Sequence, residues 1–202
     1  MKRILTAVLL LTLSYFMCTC ARIPDEEFPD YLAQMVDAAV SGDLAAGRQA
    51  EFKRDQHIDE LFLNDEKLSF DDLFLLSKFI MVQSKNDGNN DDYRLCIGEV
   101  VLNRVASREF PNSISDVIYE QGAFERVDNE EFKCGTLPNR DCVELALRLL
   151  QGERLLAPHV VHWSSEPETE VYATFCDRRQ NFTYFCESAY PRFYHLPNKK
   201  AS

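Results

Sequence analysis

The chain has 202 residues, 46% of them hydrophobic and 27% charged, with a formal net charge of −11. That length holds one domain with a real core. The acidic balance argues against nucleic acid or an anionic membrane as partner, since both are bound by neutralising phosphate.

The opening MKRILTAVLLLTLSYFMCTCA places Lys2 and Arg3 before an apolar run from Ile4 to Met17, with small residues at Thr19 and Ala21. Residues 1–21 therefore read as a secretory signal peptide, too short and wrongly flanked for a membrane span. The expectation is a secreted or cell-envelope-associated protein whose mature domain does not insert into the membrane. Lipidation at Cys18 or Cys20 makes it a lipoprotein in the second reading, although YFM and MCT form a poor acceptor site. Residues 22–68 read as a helical N-terminal extension: Pro29 suits a first helical turn ahead of YLAQMVDAAV, Gly42 breaks the run, and a charged helix spans about Asp43 to Leu61.

From Ser69 the pattern becomes that of a core. Ser69 and Asp72 form a capping-box-like start to FDDLFLLSKFIMVQ. The run Asn86-Asp87-Gly88-Asn89-Asn90 reads as a loop. A helix runs from about Asp92 to Ser107, a short one covers Ser115–Tyr119, and a third covers Asp141–Gln151 with Gly152 beyond its end. HVVHWS, EVYATFC and NFTYFC are short, β-branched and aromatic, and read as strands. Helices followed by a small antiparallel β element give an α+β layout.

On the Asp92–Ser107 helix, Asp92, Glu99 and Asn103 fall in one narrow stripe amid apolar residues, which places them toward solvent or toward a cleft. His159 and His162 are three apart and cannot share a metal on a strand. No nucleophile elbow or catalytic triad stands out, and no phosphate-binding loop. Cys134 with Cys142, and Cys176 with Cys186, bracket local loops and are candidates for two disulfides in an exported protein. Cys96 reads as a buried free thiol. No Cys-x-x-Cys spacing supports a metal site. Most of the 14 Phe and 8 Tyr must be core, whereas Trp163 and its neighbours in the strands could border a cleft and stack on sugar faces.

The run GEVVLNRVASREFPNSISDVIYEQGAF resembles the central motif of the SleB-type cell-wall hydrolases, the spore-cortex-lytic family. Asn103, Arg104, Phe110, Pro111, Val117, Ile118 and Phe124 occupy the motif's places. CVELALRLLQGE is similar to the family's next helix, and HVVHW and TYFC to its closing strands, so residues 69–196 are assigned to such a domain. The resemblance implies a lysozyme-like, mainly helical core with a small antiparallel β flap, and a peptidoglycan glycan strand as partner of a monomer. It further implies glycosidase or lytic-transglycosylase chemistry between N-acetylmuramic acid and N-acetylglucosamine, with neither metal nor organic cofactor.

The family's acid is the first residue of a Glu-Ser/Ala-Arg-Gly-Glu segment. Here that segment aligns with Gln83-Ser84-Lys85-Asn86-Asp87, so the position reads Gln83. An amide cannot pass a proton. Three expectations follow. A carboxylate elsewhere acts as the acid, Glu99 ahead of Asp87 and Asp92, with Asn103, Asp87, Phe124 and Trp163 contacting substrate. Alternatively the domain binds glycan without cleaving it, or it is a secreted interaction module.

Overall fold

In the computed structural model, residues 30–60, 68–84, 90–124, 126–127, 132–133, 135–167, 169–177 and 179–187 are described. The expected leader, Asp87 and Cys134 lie outside them. The described residues from Tyr31 onward form one compact unit.

Helix α1 (Tyr31–Ser41) buries Met35, Val36, Ala38 and Ala39, a stripe of helical spacing, and stops at Gly42. Asp43 then accepts a hydrogen bond from the Ala46 N–H and opens α2 (Leu44–Glu60). This helix is mainly polar, and its inward residues are Gly47, Ala50, Arg54 and Ile58. Gly47 lies against the ring of Phe70, where a Cβ would come within 2.0 Å of the ring. Arg54 is buried, and Nη2 is satisfied by Asp55 at 2.6 Å and by the Leu68 carbonyl at 2.7 Å.

Helix α3 (Phe70–Gln83) starts where the Ser69 hydroxyl accepts from the Asp72 N–H. Helix α4 (Asp91–Ala106) starts where the Asn90 side chain accepts from the Tyr93 N–H. Every residue of α4 from Tyr93 to Val101 is buried, which makes it the central helix. Gly98 permits this: a Cβ there would lie 2.5 Å from Leu149 and 2.8 Å from Ile80, so both neighbouring helices approach over a bare backbone. A short α5 (Ile114–Ile118), capped by Ser113, follows. Helix α6 (Arg140–Leu150), capped by Asn139, turns Cys142, Val143, Leu145, Ala146 and Leu149 into the same core.

The closing element is a three-stranded antiparallel sheet of order β1-β3-β2, formed by β1 (His162–Ser164), β2 (Val171–Cys176) and β3 (Phe182–Cys186). Its buried anchor is Phe185, opposite Trp163 and ringed by Tyr93 and Phe175. The α+β layout, a mainly helical core with a small antiparallel β element, is therefore the one the chain forms.

Two expectations are corrected. In the hairpin, Cys176 pairs with Phe182 while Cys186 pairs with Val171, so the two cysteines sit at opposite ends of it. Four residues of strand separate them by about 13 Å, well beyond disulfide reach, and both are free thiols. Cys142 is also a free thiol; it is fully buried in the core face of α6, where burial pushes it up to about 11. The second correction concerns HVVHWS, which becomes strand only from His162. The Val160 and Val161 carbonyls are held by side chains of α4 and are not available to a sheet.

Candidate functional site

A cleft of about 480 Å³ lies where the sheet meets the helical core. One end is formed by Gln83, the last residue of α3, and by Tyr93 of α4. The loop after α5 supplies Ala123, Phe124 and Arg126, β1 supplies His162 and Trp163, and the tip of the β2–β3 hairpin supplies Asp177, Asn181 and Phe182.

The cleft wall is an alternating stack. Arg104 lies between two rings, 5.1 Å from the centroid of Phe110 and 4.5 Å from that of Phe124. Phe124 in turn stacks on Trp163 at 5.3 Å with the planes 20° apart. Trp163 also meets Phe79 and Phe185, so its indole is fixed by the core while remaining part of the cleft lining. Such a stack holds its rings with little rotational freedom, and a guanidinium between aromatic faces is a favourable filling for it. Burial pulls Arg104 down to about 10, so it stays charged at neutral pH.

At the end formed by Gln83, Arg126 Nη1 donates to the Val82 and Gln83 carbonyls at 3.1 and 3.2 Å. These carbonyls belong to the final turn of α3, where a cation is favoured. The contact fixes the backbone that carries Gln83. The Gln83 side-chain Nε2 is buried and has no hydrogen-bond partner among the described residues. A buried donor of this kind is costly unless something accepts from it.

Asp177 is the carboxylate among the described lining residues, and its oxygens are occupied. They accept from the Asn181 Nδ2 at 2.9 Å, the Asn181 N–H at 2.8 Å and the Arg179 N–H at 2.7 Å. The Asn181 side chain is the foremost reason its carboxyl sits below the usual range. It shapes the hairpin tip and is ionised at neutral pH. Phe182, beside it, is 47% exposed and stacks on Tyr184 at 6.1 Å.

Of the residues expected at a site, Gln83, Phe124 and Trp163 line this cleft. Glu99 and Asn103 do not, and their expected places are corrected. Glu99 is fully buried, and its carboxylate accepts from the Leu155 N–H at 2.7 Å and the Leu156 N–H at 3.0 Å. Burial raises its pKa, opposed by those two hydrogen bonds. One turn on, Asn103 donates to the Ala157 and Val160 carbonyls at 3.0 and 2.9 Å, and Arg104 Nε donates to the Val161 carbonyl at 2.8 Å. Of the stripe, Asp92 is exposed to solvent, whereas Glu99 and Asn103 face neither solvent nor cleft. With Arg104 they bind the backbone of 155–161, the segment that leads into β1 and sets the position of Trp163.

Arg126, Asn181 and Phe182 were not singled out from the sequence. Phe182 lay within the aromatic NFTYFC run, whereas Arg126 carried no motif at all.

Residues 88–185 match the family model described as Cell Wall Hydrolase. The matched segment begins after α3, so Gln83 lies outside it. Among solved structures, the chain is similar to the catalytic domain of the Bacillus cereus SleB protein, with 23% identity, a TM-score of 0.46, and coverage of 61% of this chain and 94% of that one. No curated protein matches the chain.

Proposed function

We propose that the cleft of this chain, whose residues 88–185 match the cell wall hydrolase family model, receives a glycan strand of peptidoglycan and holds it without rapid cleavage. The carrying observation is the chemistry of the cleft's lining. Trp163 and the exposed Phe182 offer apolar faces for sugar rings, and Gln83 lines the cleft with an amide. Neither Gln83 nor Asp177 is suited to donating a proton. Gln83 has none at a useful pKa, and Asp177 is held ionised by its hydrogen bonds.

Glu99, the carboxylate first expected to take over, serves the backbone instead. The family match favours a second reading, in which a carboxylate outside the described residues, Asp87, four residues after Gln83 in the sequence, supplies the acid and the strand is cut. Secretion is part of both readings, because peptidoglycan lies outside the cytoplasmic membrane.

Co-sedimentation with insoluble peptidoglycan tests the binding common to both. The protein is expected in the pellet, and Phe182→Ala is expected to weaken binding by about tenfold, as truncating an anchoring aromatic does. Protein that stays in the supernatant at all concentrations contradicts the proposal.

A further inference from the structure

The whole chain is strongly acidic, at −11, whereas the described lining of its cleft is not. Among the described lining residues, Arg104 and Arg126 stand against Asp177 alone. Asp177 already has its partners in Asn181 and the Arg179 N–H, and Arg179 itself adds a cation at the hairpin tip. Arg126 commits Nη1 to the end of α3. Its Nε and Nη2 make no hydrogen bond to the described residues. Hydroxyls and acetamides of neutral sugars are served by neutral donors and need no fixed charge. Guanidiniums in a partly closed cleft, where water screens them less, favour an anion with oxygens to share.

A glycan strand of peptidoglycan offers carboxylates on one of its two sugars. The lactyl group of muramic acid ends in a carboxylate when free, leads to the carboxylates of a stem peptide when substituted, and is neutral when closed as a lactam. We propose that the cleft selects glycan strands whose muramic residues carry an anionic substituent, and that Arg126 is the specificity-determining residue, with Arg104 adding to the positive field. This rests on the proposed binding of glycan strands, and it assigns the class of strand.

The test is titration calorimetry of the full chain with four probes: chitotetraose, a muramic-acid-containing tetrasaccharide with free lactyl carboxylates, its methyl amide, and the same tetrasaccharide bearing stem peptides. The expected result is about tenfold tighter binding of a carboxylate-bearing form than of the methyl amide, which is the scale of one charge-assisted contact. The gap should narrow in about 0.5 M salt. It should also narrow in Arg126→Gln and persist in Arg126→Lys. Tight binding of the stem-peptide form alone would place the recognised carboxylate in the peptide rather than the lactyl group, and would support the selection. Equal affinity for the methyl amide and both carboxylate forms overturns the selection and leaves glycan binding standing. No binding of any probe overturns both.

Discussion

Glu99 and Asn103 lie one turn apart on a helix that is otherwise apolar from Leu95 to Leu102, a pattern that suggests solvent or a cleft. The structure adds a third use for a polar stripe, which is to satisfy the backbone of an irregular segment buried against the helix. Sequence periodicity locates such a stripe and cannot tell which of the three it faces, because the segment it serves is more than fifty residues away. Glu99→Gln keeps one acceptor oxygen and loses the charge and the second. It is expected to lower unfolding stability by about 1–3 kcal/mol at neutral pH through the Leu155 and Leu156 N–H groups, as read by urea denaturation.

The pH dependence carries a sign of its own. Burial raises the Glu99 pKa in the folded chain above the ordinary 4.5. The proton is thus held more tightly in the folded state. Its contribution is fully present below 4.5 and is lost as pH rises through the raised folded value. In Glu99→Gln this component of the stability–pH profile should be absent, and an unchanged profile above 4.5 would contradict the burial argument.

Helix α4 and the β2–β3 hairpin show how unevenly elements can be read. The caps at Ser69, Asn90 and Asn139 and the stop at Gly42 mark helix ends by local chemistry, and the observed bounds fall within a residue or two of the expected ones. Gly98 was silent in the sequence, since a glycine inside a helix looks only like a weakness. Its role depends on Leu149 and Ile80 from two other helices. Gly98→Ala should cost about 1–3 kcal/mol by overpacking and lower Tm in a calorimetric scan, despite alanine's better helix propensity.

In the hairpin the error was one of register. Cysteines that bracket a turn invite a bridge, but the pairing puts Phe182 opposite Cys176. With iodoacetamide and no reductant, peptide mapping is expected to find Cys176 alkylated in the native protein. Buried Cys96, Cys142 and Cys186 should react only after unfolding. A peptide joining Cys176 to Cys186 would contradict the register.

Taken as one molecule, the chain uses its helical core to hold an aromatic wall and a helix end at either side of a cleft, with the β flap completing it. The wall was legible in part: Trp163 stands in the aromatic-rich strand pattern and Phe124 in the family-like motif, whereas Asn103, expected against substrate, is a support of the segment behind the wall. The opposite side was less so. Arg126 reaches back across more than forty residues to the carbonyls of α3, a contact that no local spacing announces.

What the cleft does turns on Gln83, an amide where the resemblance leads one to expect an acid. The most direct measurement is mass spectrometry of purified peptidoglycan after incubation with the unaltered protein and with Gln83→Glu. The account predicts few or no new glycan ends from the unaltered protein and release faster by ~10²–10⁴-fold from Gln83→Glu, the usual worth of a positioned acid. Anhydro or newly reducing ends released by the unaltered protein as fast as by Gln83→Glu would contradict it and place the acid elsewhere in the chain.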